Sequence, residues 1–174
     1  MIHRILMTAD TIGGVWSYSM ELARALAQQG VEVVLATMGR RMNDDQRQEA
    51  ARVPGLRVFE NELKLEWMDE PWEDVRRAGE WLLSIQSKTK PDLVHLNGYA
   101  HGSLDWGTPV VVVCHSCVLS WWRNVKGEEA PVSWQRYAAE VEEGLARAGT
   151  VVAPSHAMLD EAVRYYGPFG RTRV

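Results

Sequence analysis

Short aliphatic runs alternate with longer amphipathic stretches along the chain, and this alternation is the strongest constraint on its fold. The clearest run, Pro109–Cys114, contains four consecutive valines and is typical of a strand buried on both faces. Further strands are predicted at Ile2–Thr8, Val31–Thr37, Leu56–Glu60, Asp92–Leu96 and Thr150–Ala153. Because strands that alternate with helices form βαβ units, we predict the α/β class: a Rossmann-like, doubly wound parallel sheet with helices on both faces.

The stretches between these runs have the spacing of amphipathic helices. Helices are predicted over Val15–Gln29, Asn43–Arg52, Trp72–Lys88, Ser133–Ala148 and Ser155–Tyr166. The buried face of the first helix is predicted to consist of Val15, Tyr18, Leu22 and Leu26. Ser155 is the predicted N-cap of the last helix, because a serine side chain accepts a hydrogen bond from the first turn.

Length and composition fit one domain, which we place at residues 1–170. Of the 174 residues, 46% are hydrophobic and 24% are charged, the mixture of an ordinary soluble protein. The net charge of −4 provides no basic field, so no nucleic-acid partner is predicted. No apolar run reaches the roughly 18 residues of a bilayer-spanning helix, and the N-terminus lacks a signal-peptide pattern. We therefore expect a cytoplasmic location, which is compatible with peripheral attachment to the inner face of a membrane.

Polar residues and glycines follow several of the predicted strands. In an open parallel sheet, ligands bind at the carboxyl ends of the strands, so these residues are the candidates for a site. The first strand contributes Asp10, Gly13 and Gly14. The fourth and fifth strands contribute His95, Asn97, Tyr99, His115 and Ser116.

Gly13 and Gly14 lie between a predicted strand and a predicted helix. Glycine permits close approach to a backbone, and a helix N-terminus attracts anions, so this pair suits a phosphate group. A tight strand-to-helix turn without a ligand would give the same pattern. The glycine fingerprint of dinucleotide-binding proteins is absent, and so is that of P-loop proteins.

The histidines have different predicted roles. His115 follows the buried valine strand, and a histidine there can hydrogen-bond a sugar hydroxyl or a phosphate, or transfer a proton. His95 fits a binding role or a buried structural one equally well. His101 and His156 are predicted to be solvent-exposed.

Cys114 and Cys117 form a C-x-x-C pair that flanks His115. A redox pair and two small core residues are both compatible with this pattern. Because no second pair of ligands exists, we predict no metal site. The neighbouring Trp121 and Trp122 are compatible with an aromatic acceptor platform, an interfacial helix or simple packing.

Six segments in this order resemble the N-terminal domain of family 4 glycosyltransferases, which have the GT-B fold of two facing Rossmann-like domains. The segments are Thr11–Trp16, Glu21–Ala27, Gly30–Val33, Asp92–Tyr99, Val113–Ser116 and Ala153–Ser155. The resemblance implies an acceptor-binding domain of a group 1, hexosyltransferase-type enzyme. It also implies a retaining, metal-independent reaction with no cofactor besides the nucleoside-diphosphate-sugar donor.

The resemblance also implies roles for the candidate residues. Gly13 and Gly14 match the loop that lies against the donor diphosphate and the acceptor, and His115 matches the histidine at the reaction centre. His95 and Asn97 match the stretch after the fourth strand. Asp10, Asn97 and Tyr99 are predicted to contact sugar hydroxyls, and Ser116 to bind substrate beside His115.

The resemblance covers the family's N-terminal domain and does not extend to its second domain, which carries a Glu-x7-Glu signature. Residues 171–174 resemble the start of the strand and linker to that domain, so we predict half of an enzyme, either a fragment or one subunit of a split enzyme, whose partner is the missing C-terminal donor-binding domain. We expect the chain to be inactive alone and to self-associate through apolar surface. The acceptor is left open as a saccharide, a lipid-linked compound or a small molecule. A non-catalytic saccharide- or nucleotide-binding module and a thiol–disulfide protein remain the alternatives.

Overall fold

Seven strands and six α-helices alternate in a computed structural model that describes residues 1–174. The strands are β1 (Arg4–Asp10), β2 (Glu32–Met38), β3 (Arg57–Glu60), β4 (Leu93–Leu96), β5 (Val110–Val113), β6 (Thr150–Val152) and β7 (Thr172–Arg173). The helices are α1 (Gly14–Gln28), α2 (Asp44–Ala51), α3 (Trp72–Thr89), α4 (Val118–Trp121), α5 (Gln135–Arg147) and α6 (His156–Tyr166). The strands form a parallel sheet, which confirms the predicted Rossmann-like α/β class.

The chain divides into two compact units, the first of which comprises residues 1–95 and 106–109. Its strands follow the order β3-β2-β1-β4. Strand β1 pairs with β2 along its whole length, and with β4 on its other side, where Met7 faces His95. Because the chain turns back across β1 to reach β4, the carboxyl ends of these two strands form a topological switch point.

The most deeply buried stripe of helix α1 lies beside the predicted apolar face, of which Val15, Leu22 and Leu26 pack at the edge of the core. Its buried residues are Trp16, Ser19, Met20 and Ala23, whereas the predicted Val15, Tyr18, Leu22 and Leu26 are only partly buried. The indole of Trp16 is the largest apolar group on this helix, and it is 5% exposed. Its Nε1 donates to Glu49 Oε2 at 2.7 Å, which satisfies the polar atom that burial would otherwise leave without a partner.

Helix α2 forms hydrogen bonds to α1 and to the loop that precedes it. Its N-cap Asn43 and Gln46 form a reciprocal capping box. The Gln46 side chain also donates to the Thr11 carbonyl at 3.0 Å. Glu49 accepts from Arg24 at 2.6 Å in addition to Trp16. The polar helix α2 is therefore bound to the loop before α1 through Thr11, and to α1 itself through Trp16 and Arg24.

The second unit comprises residues 96–105 and 110–174. Its strands follow the order β5-β6-β7, and the short β7 pairs with β6 in parallel, with Val152 facing Arg173. The predicted cap of α6 is confirmed, because the Ser155 side chain accepts from the Met158 backbone at 3.3 Å. The helix α4 and the π-helical turn Trp122–Lys126 were not predicted, whereas β7 lies within residues 171–174, which resemble the start of a strand and linker.

A glycine pair lets α5 approach the 3-10 turn Ala100–Ser103 closely. A Cβ atom on Gly144 would lie 2.8 Å from the carbonyl carbon of Tyr99, and one on Gly102 would lie 2.9 Å from the carbonyl carbon of Gly144. Both distances are shorter than side chains tolerate, so this contact needs glycine at both positions. None of the helices in this structure has the length and apolar character that crossing a bilayer requires.

Candidate functional site

The loop between β1 and α1 exposes backbone at the switch point of the first unit. Gly13 has a φ of 71°, which glycine adopts easily, and it is the N-cap of α1 without a side chain that caps the helix. A Cβ atom on Gly13 or Gly14 would have no heavy atom within 4 Å. The first amides of α1 are therefore accessible and suit a phosphate or another anion.

Polar contacts fix the base of this loop. Asp10 Oδ1 accepts from the Ile12 backbone at 2.8 Å, and Thr11 Oγ1 donates to the Arg40 carbonyl at 2.8 Å. The Arg40 guanidinium donates in turn to the Thr11 carbonyl at 3.4 Å. Burial raises the pKa of Asp10, and the hydrogen bond from Ile12 only partly opposes it.

His95 lies at the same switch point, near the end of β4. It is 8% exposed, and its Nε2 lies 3.4 Å from the Tyr18 hydroxyl. The two rings stack with their centroids 6.0 Å apart. Burial raises the pKa of Tyr18, so its hydroxyl keeps its proton. The predicted residues Asp10, Gly13, Gly14 and His95 thus share one end of the first unit, and Tyr18 was missed because the helical pattern had placed it in the core.

In the second unit, the residues after β4 and β5 meet. His115 Nε2 lies 2.8 Å from Asn97 Oδ1. An amide oxygen only accepts hydrogen bonds, so Nε2 carries the ring proton and Nδ1 is the acceptor. Burial lowers the pKa of His115, which favours the neutral ring. Asn97 therefore orients a neutral imidazole whose Nδ1 can accept a proton or a hydrogen bond.

Replacing Asn97 by aspartate is expected to raise the pKa of His115, because a carboxylate beside the ring favours its charged form. Titration of the His115 ring protons by NMR should show a midpoint below that of an ordinary histidine in the parent chain and a higher one in Asn97→Asp. The matched control is Asn61→Asp, whose side chain accepts from Leu63 after β3. An unchanged titration midpoint of His115 in Asn97→Asp would contradict the hydrogen bond between these two side chains.

A cavity of about 270 Å3 opens beside His115 in the second unit. The predicted residues Tyr99, His115 and Ser116 line it, and so do residues of α4, the following π-helical turn and α6. The other lining residues include Trp121, Asn124, Val125, Met158, Glu161 and Tyr166. Glu161 carried no sequence signal, because its place in the cavity wall depends on where α6 packs.

Both cysteines are free and buried. Burial is the main cause that raises the pKa of Cys114 to about 12, with the nearby Cys117 as a second cause. Cys117 Sγ accepts from the Ser120 backbone at 3.3 Å and so caps α4. This environment suppresses the thiolate that redox chemistry needs and supports the reading of two core residues.

In a Cys117→Ser variant, Cys114 is therefore expected to react with a disulfide reagent at pH 8 only after unfolding. Serine is itself a good N-cap, so this variant keeps the helix start. The measurement is the rate of thiol labelling in buffer and in denaturant. Rapid labelling of the folded variant would restore the thiol–disulfide alternative.

Two further histidines and three tryptophans differ in their exposure. The prediction of an exposed His101 is wrong, since this residue is 9% exposed within a buried 3-10 turn, whereas His156 is exposed as predicted. Trp16 and Trp106 are buried, so they serve packing. Trp121 is 44% exposed, which leaves one face of its ring accessible.

Solved structures with the same fold are GT-B glycosyltransferases. A sucrose-phosphate synthase from Thermosynechococcus elongatus superimposes with a TM-score of 0.70 at 18% identity, and the match covers 98% of this chain and 47% of that one. A UDP-glucosyltransferase from Polygonum tinctorium capable of glucosylating indoxyl gives a TM-score of 0.62 at 10% identity, over 99% of this chain and 51% of that one. UGT2 from Phytolacca americana, complexed with UDP-2-fluoro-glucose and pterostilbene, superimposes with a TM-score of 0.59 at 11% identity. That match covers 98% of this chain and 52% of that one.

This chain belongs to Glycosyltransferase Family 4, whose family model matches residues 12–174. It corresponds to a glycosyltransferase N-terminal domain and spans about half the length of the solved structures named above. Among curated protein sequences, none matches it significantly. The resemblance seen in the sequence is thereby confirmed at the level of the family and the fold.

Proposed function

We propose that this chain is the acceptor-binding half of a retaining, nucleotide-sugar-dependent glycosyltransferase that uses no cofactor beyond its donor substrate. The observation that carries the proposal is the neutral His115, oriented by Asn97 at 2.8 Å and lining a cavity, in a family 4 chain. Family membership gives the reaction class, and the pair gives a group that can accept a hydrogen bond from a sugar hydroxyl at a reaction centre.

Each candidate residue has a role in this proposal. Gly13 and Gly14 would receive phosphate oxygens, because their backbone is open and no side chain caps the helix that follows. His115 Nδ1 would accept a hydrogen bond from a donor-sugar hydroxyl. Asp10, His95, Asn97, Tyr99 and Ser116 would position the substrates.

The donor-binding half is the proposed partner. Stabilising the charge on a departing diphosphate needs several positioned donors or cations, and this is the largest contribution to catalysis in many enzymes. A nucleotide sugar as donor is supported by the UDP-2-fluoro-glucose in the Phytolacca structure, which has the same fold. We therefore propose that the 174-residue chain alone has negligible turnover.

The test is complementation with the donor-binding half of the same enzyme. The mixture is incubated with a panel of UDP-, GDP- and ADP-sugars and saccharide acceptors, and release of the nucleoside diphosphate is measured. We expect transfer only when both halves are present. Saccharide binding without transfer would favour a non-catalytic binding module. Robust transfer by this chain alone would contradict the proposal that the donor-binding half is required.

A further inference from the structure

His95 and Tyr18 form a buried pair at the switch point of the first unit. His95 faces Met7 in the register of β4 with β1, and register partners on parallel strands project to the same face of the sheet. Met7 packs in the core beneath α1, so His95 points toward that helix. There its Nε2 lies 3.4 Å from the Tyr18 hydroxyl, and the planes of the two rings differ by only 28°. Because His95 is itself buried, it is poorly placed to contact a ligand directly.

Tyr18, in contrast, is only half-buried, and it lies one helical turn after Gly14. Residues four apart lie on the same face of a helix, about 6 Å apart along its axis, and helical side chains tilt toward the N-terminus. The Tyr18 ring is therefore directed toward the loop that contains Gly13 and Gly14. A Cβ atom on Gly14 would have no heavy atom within 4 Å, so space for a ligand remains beside the ring.

The Tyr18 hydroxyl can bind His95 and a ligand at the same time, because a phenolic hydroxyl donates one hydrogen bond and accepts others. A separation of 3.4 Å is long for a hydrogen bond, so His95 competes only weakly with a charged acceptor for the hydroxyl proton. Burial raises the pKa of Tyr18, which keeps that proton on the oxygen. Tyr18 is therefore a hydrogen-bond donor at neutral pH.

The surroundings of this hydroxyl favour an anionic ligand. The first turn of α1 contains no acidic residue, and its N-cap Gly13 has no side chain that could occupy the helix amides. Arg40 places a cation beside the loop, where its guanidinium lies 3.4 Å from the Thr11 carbonyl. Burial raises the pKa of the neighbouring Asp10, which disfavours the negative charge there. A phosphate oxygen is the substrate group that fits this environment.

We propose that Tyr18 is a further substrate-binding residue, whose hydroxyl donates a hydrogen bond to a substrate phosphate oxygen at the loop of Gly13 and Gly14, and that His95 positions this hydroxyl. The inference rests on the proposed function, which assigns phosphate oxygens to this loop. Because the hydroxyl has a single proton, His95 Nε2 must carry the ring proton and donate to Tyr18 when phosphate is bound. His95 is thus a positioning residue that acts through Tyr18.

Binding of pyrophosphate to the 174-residue chain tests the role of Tyr18, with the backbone amide signals of Gly13 and Gly14 in NMR titrations as the readout. Tyr18→Phe keeps the ring that stacks on His95 and removes the hydroxyl. We expect its Kd to rise about tenfold, the effect of losing one hydrogen bond to a charged group. The matched control is Tyr165→Phe, which removes a shielded hydroxyl of α6 and should bind as the parent chain does. Unmoved glycine signals, or an equal Kd for Tyr18→Phe, would overturn the inference.

Two measurements test the positioning role of His95. In the parent chain with pyrophosphate bound, the 15N chemical shifts of the His95 ring should show a proton on Nε2, and this measurement needs no variant. His95→Gln should weaken pyrophosphate binding in the parent chain and have no further effect in Tyr18→Phe, because residues that act through one another are not additive. Thermal unfolding shows whether each variant folds. A proton on Nδ1 alone, equal losses in both backgrounds, or no loss in either would refute this role.

Reconstituted transfer separates this inference from the proposed function. If both halves together transfer sugar and Tyr18→Phe changes neither kcat nor the KM for any substrate, the role of Tyr18 fails and the enzyme assignment stands. If pyrophosphate binds through Tyr18 and the reconstituted protein transfers nothing, Tyr18 stands as a phosphate-binding residue and the proposed function fails.

Discussion

Replacing His115 by alanine is expected to lower kcat/KM of the reconstituted enzyme by about a hundredfold or more, the effect typical of a positioned group in a transition state. The parent ring is half-buried, its pKa is lowered by burial, and its Nε2 is bound to Asn97 at 2.8 Å. Alanine removes both ring nitrogens and this contact with Asn97. Initial rates at saturating and limiting acceptor measure the loss.

The control for this prediction is His156→Ala, which removes an exposed histidine at the first residue of α6. Its activity should equal that of the parent protein. His115→Gln provides a second variant that keeps a polar side chain of similar length, and far-UV circular dichroism shows whether each variant folds. If the His115→Ala and His115→Gln proteins fold and transfer sugar at the parent rate, His115 does not act at the reaction centre.

Gly144→Ala is expected to destabilise the fold by roughly 3 kcal/mol, the upper range for overpacking a close contact. The new methyl group would lie 2.8 Å from the carbonyl carbon of Tyr99, a backbone atom at the start of the 3-10 turn. Helix propensity alone gives the opposite sign, since alanine is better than glycine in a helix interior by about 1 kcal/mol. The sign of the change in the free energy of unfolding therefore shows whether the close contact or the helix propensity dominates.

Thermal and urea unfolding measure this effect, and a decrease of about 3 kcal/mol corresponds to a Tm lower by roughly 6–12 °C for a domain of this size. Gly170→Ala is the matched control, because a Cβ atom there would meet no heavy atom within 4 Å. Gly102→Ala should resemble Gly144→Ala, since it disturbs the same contact from the other side. A Gly144→Ala protein as stable as the parent would show that α5 can shift away from the turn.

The sequence predicted the strands and part of the site, because both depend on local patterns. A run of valines forms a buried strand wherever it lies, and β5 occupies Val110–Val113 within the predicted Pro109–Cys114. Residues that follow adjacent parallel strands come together at their carboxyl ends, which placed Asn97 and His115 in one region before any coordinates were considered. The contact between those two side chains agrees with that reasoning.

The other site residues depend on packing that a local pattern does not encode. Periodicity alone cannot define which helical stripe faces the sheet, and the large indole of Trp16 shifted the buried face of α1. Tyr18 thereby reached the switch point instead of the core. Glu161 lies on a helix with ordinary amphipathic spacing, and it lines a cavity whose wall also includes the unpredicted α4 and π-helical turn.

Helix α2 has a consequence for affinity at the glycine loop. Its Gln46 holds the Thr11 carbonyl and its Glu49 holds Trp16 and Arg24, so the loop is preorganised before any anion arrives. A ligand that binds there does not have to restrict a mobile segment, which spares the entropy loss that weakens binding to flexible loops. Substitutions in this solvent-facing helix can therefore change affinity at Gly13 and Gly14 without touching the ligand.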